Sequence, residues 1–188
     1  MPNRFDTVAR EWDKNQIHIK RTEAIAACLL DIIEVNKDFK ALEFGAGTGL
    51  LSFALKSHFA EITLMDSSAE MVKTTFEKIA NTGISNLHPV FFDLEKEEYT
   101  EKTFDIIFSQ MALHHVVDIE EIISKFSKLL NTDGKLVIAD LYKEDGTFHG
   151  IDFDGHLGFD PEKLSETLKK NNFINVKYKQ CFVIERIM

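Results

Sequence analysis

The chain has 188 residues, enough for one ordinary domain with a substantial core and too few for two. Its 44% hydrophobic and 28% charged residues describe a soluble globular protein. A net charge of −9 disfavours a duplex nucleic-acid partner, and no apolar run approaches the ~20 residues of a membrane span.

The start, MPNRFDTVAREWDK, lacks the apolar stretch of a signal peptide, so a reducing, cytoplasmic setting is expected. Cys28 and Cys181 stand in no CxxC and in no metal-ligand spacing. Cys28 lies in the run AIAACLLDII and reads as a small buried residue, and no metal is expected.

In chain order, two helical segments lead. The first covers about 7–15. The second covers about 18–35, with Ile25, Leu29, Ile32 and Ile33 at helical spacing. ALEF, residues 41–44, is a short strand that breaks into three glycines, and LLSFALKSHF after it is a helix starting at Thr48 or Gly49. EITLMD is a strand. SAEMVKTTFEKIANTG is a helix capped by Ser67 or Ser68 and ended by Gly83, with Met71, Val72, Phe76 and Ile79 as its apolar face. LHPVFFD is a strand that Pro89 confines to a sheet edge.

FDIIFSQ is a buried strand, IEEIISKFSKLL an amphipathic helix, NTDG a turn and KLVIADLY a further strand. Residues 143–159 form a glycine-rich loop, expected to act as a substrate lid. PEKLSETLKKNN is a helix with proline in its first turn, and the tail from Phe173 is strand-like throughout. The alternation from residue 40 onward predicts an α/β, Rossmann-like, doubly wound, mostly parallel sheet with helices on both faces. The expected layout is one domain over 1–188, with a helical cap at 1–37 and the α/β core at 38–188.

In such sheets ligands sit beyond the carboxyl ends of the strands. Five positions there attract notice. Gly45-Ala46-Gly47-Thr48-Gly49 follows the first strand, where glycines permit a tight turn against a ligand and the next helix offers free N–H groups. Asp66 ends the second strand and can accept from two ribose hydroxyls; a helix cap is the competing reading. Asp93 ends the third and can accept from an exocyclic amine, or else is a solvated acid beside Glu95, Glu97 and Glu98. Ser109, Gln110, Met111, His114 and His115 follow the fourth strand, and Asp140 and Tyr142 the fifth.

A nicotinamide or flavin fingerprint would read G-x-G-x-x-G, but its third glycine falls on Leu50. His114 or His115 can serve as a general base, or simply pack on a short helix. His149, Asp152, Asp154 and His156 lack a metal-ligand spacing.

The quoted motifs resemble the class I S-adenosylmethionine-dependent methyltransferases over about residues 5–180. ALEFGAGTG is similar to their first motif, LMDSS and FFDLE to their acidic strand ends, FDIIFSQMALHHV to the fourth-strand motif, and DGKLVIAD to the turn and fifth strand. Within the family the chain looks closest to the small-molecule, ubiquinone/menaquinone-biosynthesis type. FDTVAREWD resembles the helix that closes over the cofactor in that group.

The resemblance implies S-adenosylmethionine as cofactor and S-adenosylhomocysteine as product. Glu43, Gly45, Ala46 and Gly47 would hold the methionine moiety, and Asp66 the ribose. Ser67 and Met71 would flank the adenine, while Asp93 and the Leu94 backbone would read its amine. Ser109 would lie near the methionine carboxylate, and Met111 and His114 would border the methyl group, His114 as the candidate catalytic residue.

The implied reaction is direct in-line methyl transfer to a small-molecule acceptor by a monomer or homodimer. SQMALHH lacks the patterns of base-modifying relatives, which speaks against nucleic acid. A non-catalytic cofactor-binding sensor or partner subunit is the alternative. The family's sheet ends in two antiparallel strands, yet residues 174–187 contain no Gly or Pro. The tail is therefore expected to be one strand, with the seventh missing and an open position left in the sheet.

Overall fold

The computed structural model describes residues 5–149 and 153–184. Strands β1 (Lys40–Phe44), β2 (Glu61–Asp66), β3 (Leu87–Phe91), β4 (Phe104–Gln110) and β5 (Leu130–Ala139) form one sheet in the order β3-β2-β1-β4-β5. Every pairing in it is parallel. The chain leaves β1 toward β2 and β3 and returns to β4, so the topological switch lies between β1 and β4.

The helices are α1 (Gln16–Ile32), α2 (Leu50–Leu55), α3 (Ala69–Ala80), α4 (Ile119–Leu129) and α5 (Pro161–Lys170). Alternation along β1 and β4 sends Ala41, Ile106 and Phe108 to a core shared with Ile25 and Leu29 of α1 and Leu51 and Leu55 of α2. Leu42, Phe44, Phe104 and Ile107 go to the opposite core, with Ile122, Ile123 and Phe126 of α4, and Leu164 and Leu168 of α5 packed against it. Both faces of the sheet are thus covered, which is why its strands read as near-continuous apolar runs.

Side chains start four of these helices, and Asn15 does so for α1 by accepting from the Ile17 N–H. Ser68 Oγ accepts from the Met71 N–H, Asp118 from Glu121 and Asp160 from Glu162. Pro89 sits in β3, which among the described residues bonds only to β2 and forms an edge. There its missing N–H removes no ladder bond from a central strand.

The first segment is helical, as expected, in 3-10 form over Ala9–Lys14. Other expectations are corrected. Phe76 is 53% exposed, and the buried face of α3 is Met71, Val72 and Thr75. Cys28 is only half-buried. The NTDG turn lies within β5: the register jumps from Phe104↔Leu130 to Ile106↔Lys135, with Asp133 at φ 62°.

The tail is not a strand over 173–184. Its side chains are tied instead to helices on opposite faces of the sheet, Tyr178 Oη donating to Glu162 of α5 at 2.5 Å and Lys179 Nζ to Asp31 of α1 at 2.8 Å. A β-patterned segment becomes a strand only where a ladder accepts it. Among the described residues β5 is therefore the second edge of the sheet, and no sixth strand follows it.

Candidate active site

The glycine turn at the end of β1 has two reasons for its composition. Gly45, Gly47 and Gly49 all lie at positive φ, between 56° and 79°. A Cβ on Gly45 would stand 2.3 Å from the Ala112 Cβ, whereas one on Gly47 would meet only the Met71 Sδ, at 3.9 Å. The first glycine lets the chain after β4 pack against the turn. The second leaves the backbone uncrowded, so that a ligand can lie along it.

Asp66 at the end of β2 organises this turn. Its Oδ2 accepts from the Gly47 N–H at 2.6 Å and its Oδ1 from the Ser68 N–H at 2.8 Å. Burial pushes the carboxyl upward; the Ser68 and Gly47 N–H groups oppose that, and nearby Asp6 adds to it. The residue that caps α3 is Ser68, so the cap reading of Asp66 is corrected: its carboxylate holds the N–H groups of the two turns that precede the helices.

The N-terminal segment closes over the turn. Asp13 accepts from the Thr48 hydroxyl at 2.5 Å and pairs with Lys78 of α3 at 2.6 Å, and Lys78 also donates to the Thr48 carbonyl. The Ser68 hydroxyl donates to Asp6 at 2.6 Å. Phe5 stands edge-on to Trp12 and to His115. Asp6, Asp13 and Lys78 were not singled out from the sequence, where nothing distinguishes them from other charged residues.

Glu43 lies inside β1, 2% exposed, with the Ser52 N–H donating to it at 3.0 Å and the Ser52 hydroxyl also bonded to it. Burial pushes its pKa up to about 8, against the pull of the Ser52 bonds. Ala46 and Met71 are buried beside the turn, and Ser67 is exposed at the start of α3. Asp93 lies farther out, its carboxylate held by Lys96 at 2.5 Å and by the Glu95 N–H. Leu94 is a core residue whose carbonyl accepts from Lys125.

At the end of β4, Ser109 is 2% exposed, and its hydroxyl has no partner among the described residues. Met111 takes a left-handed conformation (φ 54°) while its N–H donates to the Ala139 carbonyl. That bend swings the following 3-10 turn, Leu113–His115, beneath the end of β5.

There the His114 Nδ1 donates to Asp140 Oδ1 at 2.6 Å, and the His114 N–H approaches Asp140 Oδ2 at 3.3 Å. Both side chains are nearly fully buried, at 2% and 4% exposure. A carboxylate can only accept, so it fixes the proton on Nδ1 and leaves Nε2 as the basic nitrogen. Asp140 was noticed in sequence only as a strand-end residue; nothing there pairs it with His114, 26 residues earlier.

The loop after β5 covers this pair. The His156 N–H donates to the His114 carbonyl at 2.7 Å, and His149 stacks on Phe153 at 3.9 Å with its ring 4.9 Å from that of His114. Glu144 holds the loop's own turn, accepting from the Gly146 and Phe148 N–H groups. No group of three or more metal-ligating side chains forms among the described residues, and Asp152 lies outside them.

The residues collected along the sequence thus converge. Glycine turn, Asp66, Ser109, Met111 and His114 share one end of the sheet around the β1/β4 switch, with Asp93 at its β3 side. This is the architecture of an α/β domain that binds a nucleoside-containing ligand over its strand ends. The chain belongs to the class I S-adenosylmethionine-dependent methyltransferases: the profile of a methyltransferase domain family matches residues 35–182.

An uncharacterized methyltransferase of Schizosaccharomyces pombe is 30% identical over 168 residues, covering 78% of this chain and 59% of the relative. The chain spans less than two thirds of the length of the first curated relatives it matches. A methyltransferase solved in complex with the Haloferax volcanii Trm112 activator superposes with a TM-score of 0.77 at 18% identity, over 91% of this chain and 76% of that one. A Haemonchus contortus phosphoethanolamine N-methyltransferase, solved with S-adenosylhomocysteine, gives 0.69 at 21% identity, over 81% and 37%. No helix among the described residues is long and apolar enough to cross a membrane.

Proposed function

We propose that the protein transfers the methyl group of S-adenosylmethionine to a small-molecule acceptor, with His114 as the base that takes the acceptor's proton. The reading rests on one juxtaposition. The glycine turn and the buried His114–Asp140 pair occupy adjacent strand ends, and Phe44 pairs directly with Ser109 in the sheet. Gly45 touches Ala112, two residues before His114.

When bound, the cofactor supplies an activated methyl group on a cationic sulfur. The chain's own residues do the rest. The backbone of residues 45–49 lines the space for the methionine portion, and Asp66 accepts from the ribose hydroxyls. Ser67 and Met71 flank the base, and Asp93 with the Leu94 backbone reads its amine. Met111 and the loop over 153–156 exclude water. Asp140 holds the imidazole with Nε2 free to accept a proton from an acceptor O–H or N–H.

The segment up to about residue 37 acts as the cap of a single domain whose α/β core begins near residue 38. Its Asp6 and Asp13 contacts to Ser68 and Thr48 latch it over the turn. The likeness of FDTVAREWD to the closing helix of the ubiquinone/menaquinone-type group and the net charge of −9 favour a small acceptor over a polyanion.

Calorimetric titration with S-adenosylhomocysteine tests the cofactor assignment, and a radiolabelled-methyl assay over small hydroxyl, amine and carbon acceptors tests turnover. Binding that Asp66→Ala abolishes, together with turnover that His114→Ala suppresses, is the expected pair. Well-folded protein that ignores the nucleoside would overturn the assignment, and binding without turnover on any acceptor would favour a non-catalytic sensor.

A further inference from the structure

The two cysteines, which stand in no sequence motif, meet in space. Cys28 lies on α1 and is half-buried, whereas Cys181 lies in the tail and is exposed. The Cys28 thiol is within hydrogen-bond reach of the Cys181 thiol and of Lys179 Nζ.

The register of the tail on α1 accounts for the meeting. Lys179 Nζ donates to Asp31 Oδ2 at 2.8 Å. Asp31 and Cys28 are three residues apart on α1, so they share one face of the helix. Tyr178 and Lys179, adjacent in the chain, reach helices on opposite faces of the sheet, which is the alternation of an extended backbone. Cys181, two residues beyond Lys179, therefore returns to the α1 side. Two successive contacts, Lys179 on Asp31 and Cys181 on Cys28, lay the tail along one turn of α1.

The tail depends on such side-chain contacts. Beyond the Phe173 N–H, which donates to the Leu168 carbonyl, no backbone hydrogen bond ties it among the described residues. Its backbone is free to make the small adjustment that a sulfur–sulfur bond requires.

We propose that Cys28 and Cys181 form a modification site, a thiol pair that glutathione disulfide oxidises to an intramolecular disulfide stapling the tail to α1. The exposed Cys181 thiolate attacks one sulfur of glutathione disulfide, giving a mixed disulfide and a glutathione thiolate. The Cys28 thiolate then attacks the Cys181 sulfur and displaces the second glutathione. The protein S–S bond forms and the glutathione S–S bond breaks. Two electrons pass to the oxidant, and the two thiol protons end on the two glutathiones. Desolvation and the neighbouring Cys28 hold the Cys181 thiol above its ordinary range, so the first attack is slow at neutral pH. The pair thus stays reduced until oxidant accumulates, as in a reversible redox switch.

The test incubates the folded full chain with glutathione disulfide at about pH 8.5, where thiolate is more abundant, and quenches with acid. The expected product has lost both free thiols and about 2 Da, and its digest joins a peptide holding Cys28 to one holding Cys181. Dithiothreitol should reverse all three changes. In urea, which separates the two cysteines, the bridged form should fall by about 10-fold or more relative to mixed disulfides. Cleavage of the tail in limited proteolysis should slow in the bridged form. Cys28→Ser and Cys181→Ser should each stop at the mixed disulfide.

Mixed disulfides or disulfide-linked dimers as the end products of the folded chain would overturn the proposal. A bridged yield no higher than in urea, or unchanged cleavage of the tail, would overturn it equally. Wild type carries each of these outcomes, so a variant that does not fold leaves the decision intact. No nucleoside enters the experiment, and its result is separate from that of the methyl-transfer assignment.

Discussion

Glu43 offers the sharpest test of how the strand carrying the glycine turn is stabilised. Its carboxyl is buried in β1 against Ser52, and its pKa is pushed from 4.5 up to about 8. In the unfolded chain the group ionises near its ordinary value, so between these two pH values the folded state binds the extra proton. Stability contributed by the site is present below about pH 4.5 and falls as pH rises to about 8, where the loss levels off. At about 1.4 kcal/mol for each pKa unit, the loss is roughly 3 kcal/mol by pH 7 and at most roughly 5 kcal/mol above pH 8.

Glu43→Gln keeps the shape, lets the amide oxygen accept from Ser52 and carries no titrating proton. Urea unfolding of both proteins at about pH 5, 7 and 9 reads the effect as a difference, which cancels every other titrating group. The expected result is near-equal stability at the lowest pH and a growing advantage for the variant above it. Parallel pH dependence of the two proteins would refute the argument, because Glu43 would then be ionised in the folded state as it is in the unfolded one.

Other outcomes follow from the same geometry. Gly45→Ala adds a Cβ 2.3 Å from that of Ala112 at a φ of 65°, and is expected to lower unfolding stability by about 2–5 kcal/mol in the same urea assay. Asp66→Asn sets an amide N–H against the N–H of Gly47 or Ser68 and should weaken S-adenosylhomocysteine binding by about 10- to 100-fold in calorimetry. Asp140→Asn releases the tautomer of His114; on a turned-over acceptor it should lower kcat by about 100-fold while nucleoside affinity is kept. Gly155→Ala would place a Cβ 2.4 Å from the His114 carbonyl, displacing the covering loop and accelerating its cleavage in limited proteolysis.

The parallel, doubly covered sheet, the edge position of β3 and the glycine turn were legible from residues alone, because each follows from a local rule; the order of the strands was not. Apolar runs alternating with amphipathic helices require a parallel sheet covered on both faces, Pro89 cannot serve a central ladder, and Gly45, Gly47 and Gly49 mark backbone that other residues avoid. The acids at strand ends were visible for the same reason: strand boundaries are local, and β/α topology puts those ends on one side.

What sequence could not determine is every contact made across long chain separations. The pairing of Asp140 with His114, of Asp13 with Lys78 and of Thr22 with Gln110 depends on which elements meet, and no periodicity encodes that. Arg21 carries no mark in the sequence that sets it apart from the other charged residues of α1, and only the structure shows it buried. The tail carries a strand pattern, but a strand requires a partner ladder, and its anchoring to Glu162 and Asp31 holds it in another course. Local propensity thus determined the elements and the turn, whereas tertiary packing decided which polar groups became buried, paired or left open for a ligand, since desolvation exists only once the elements have met.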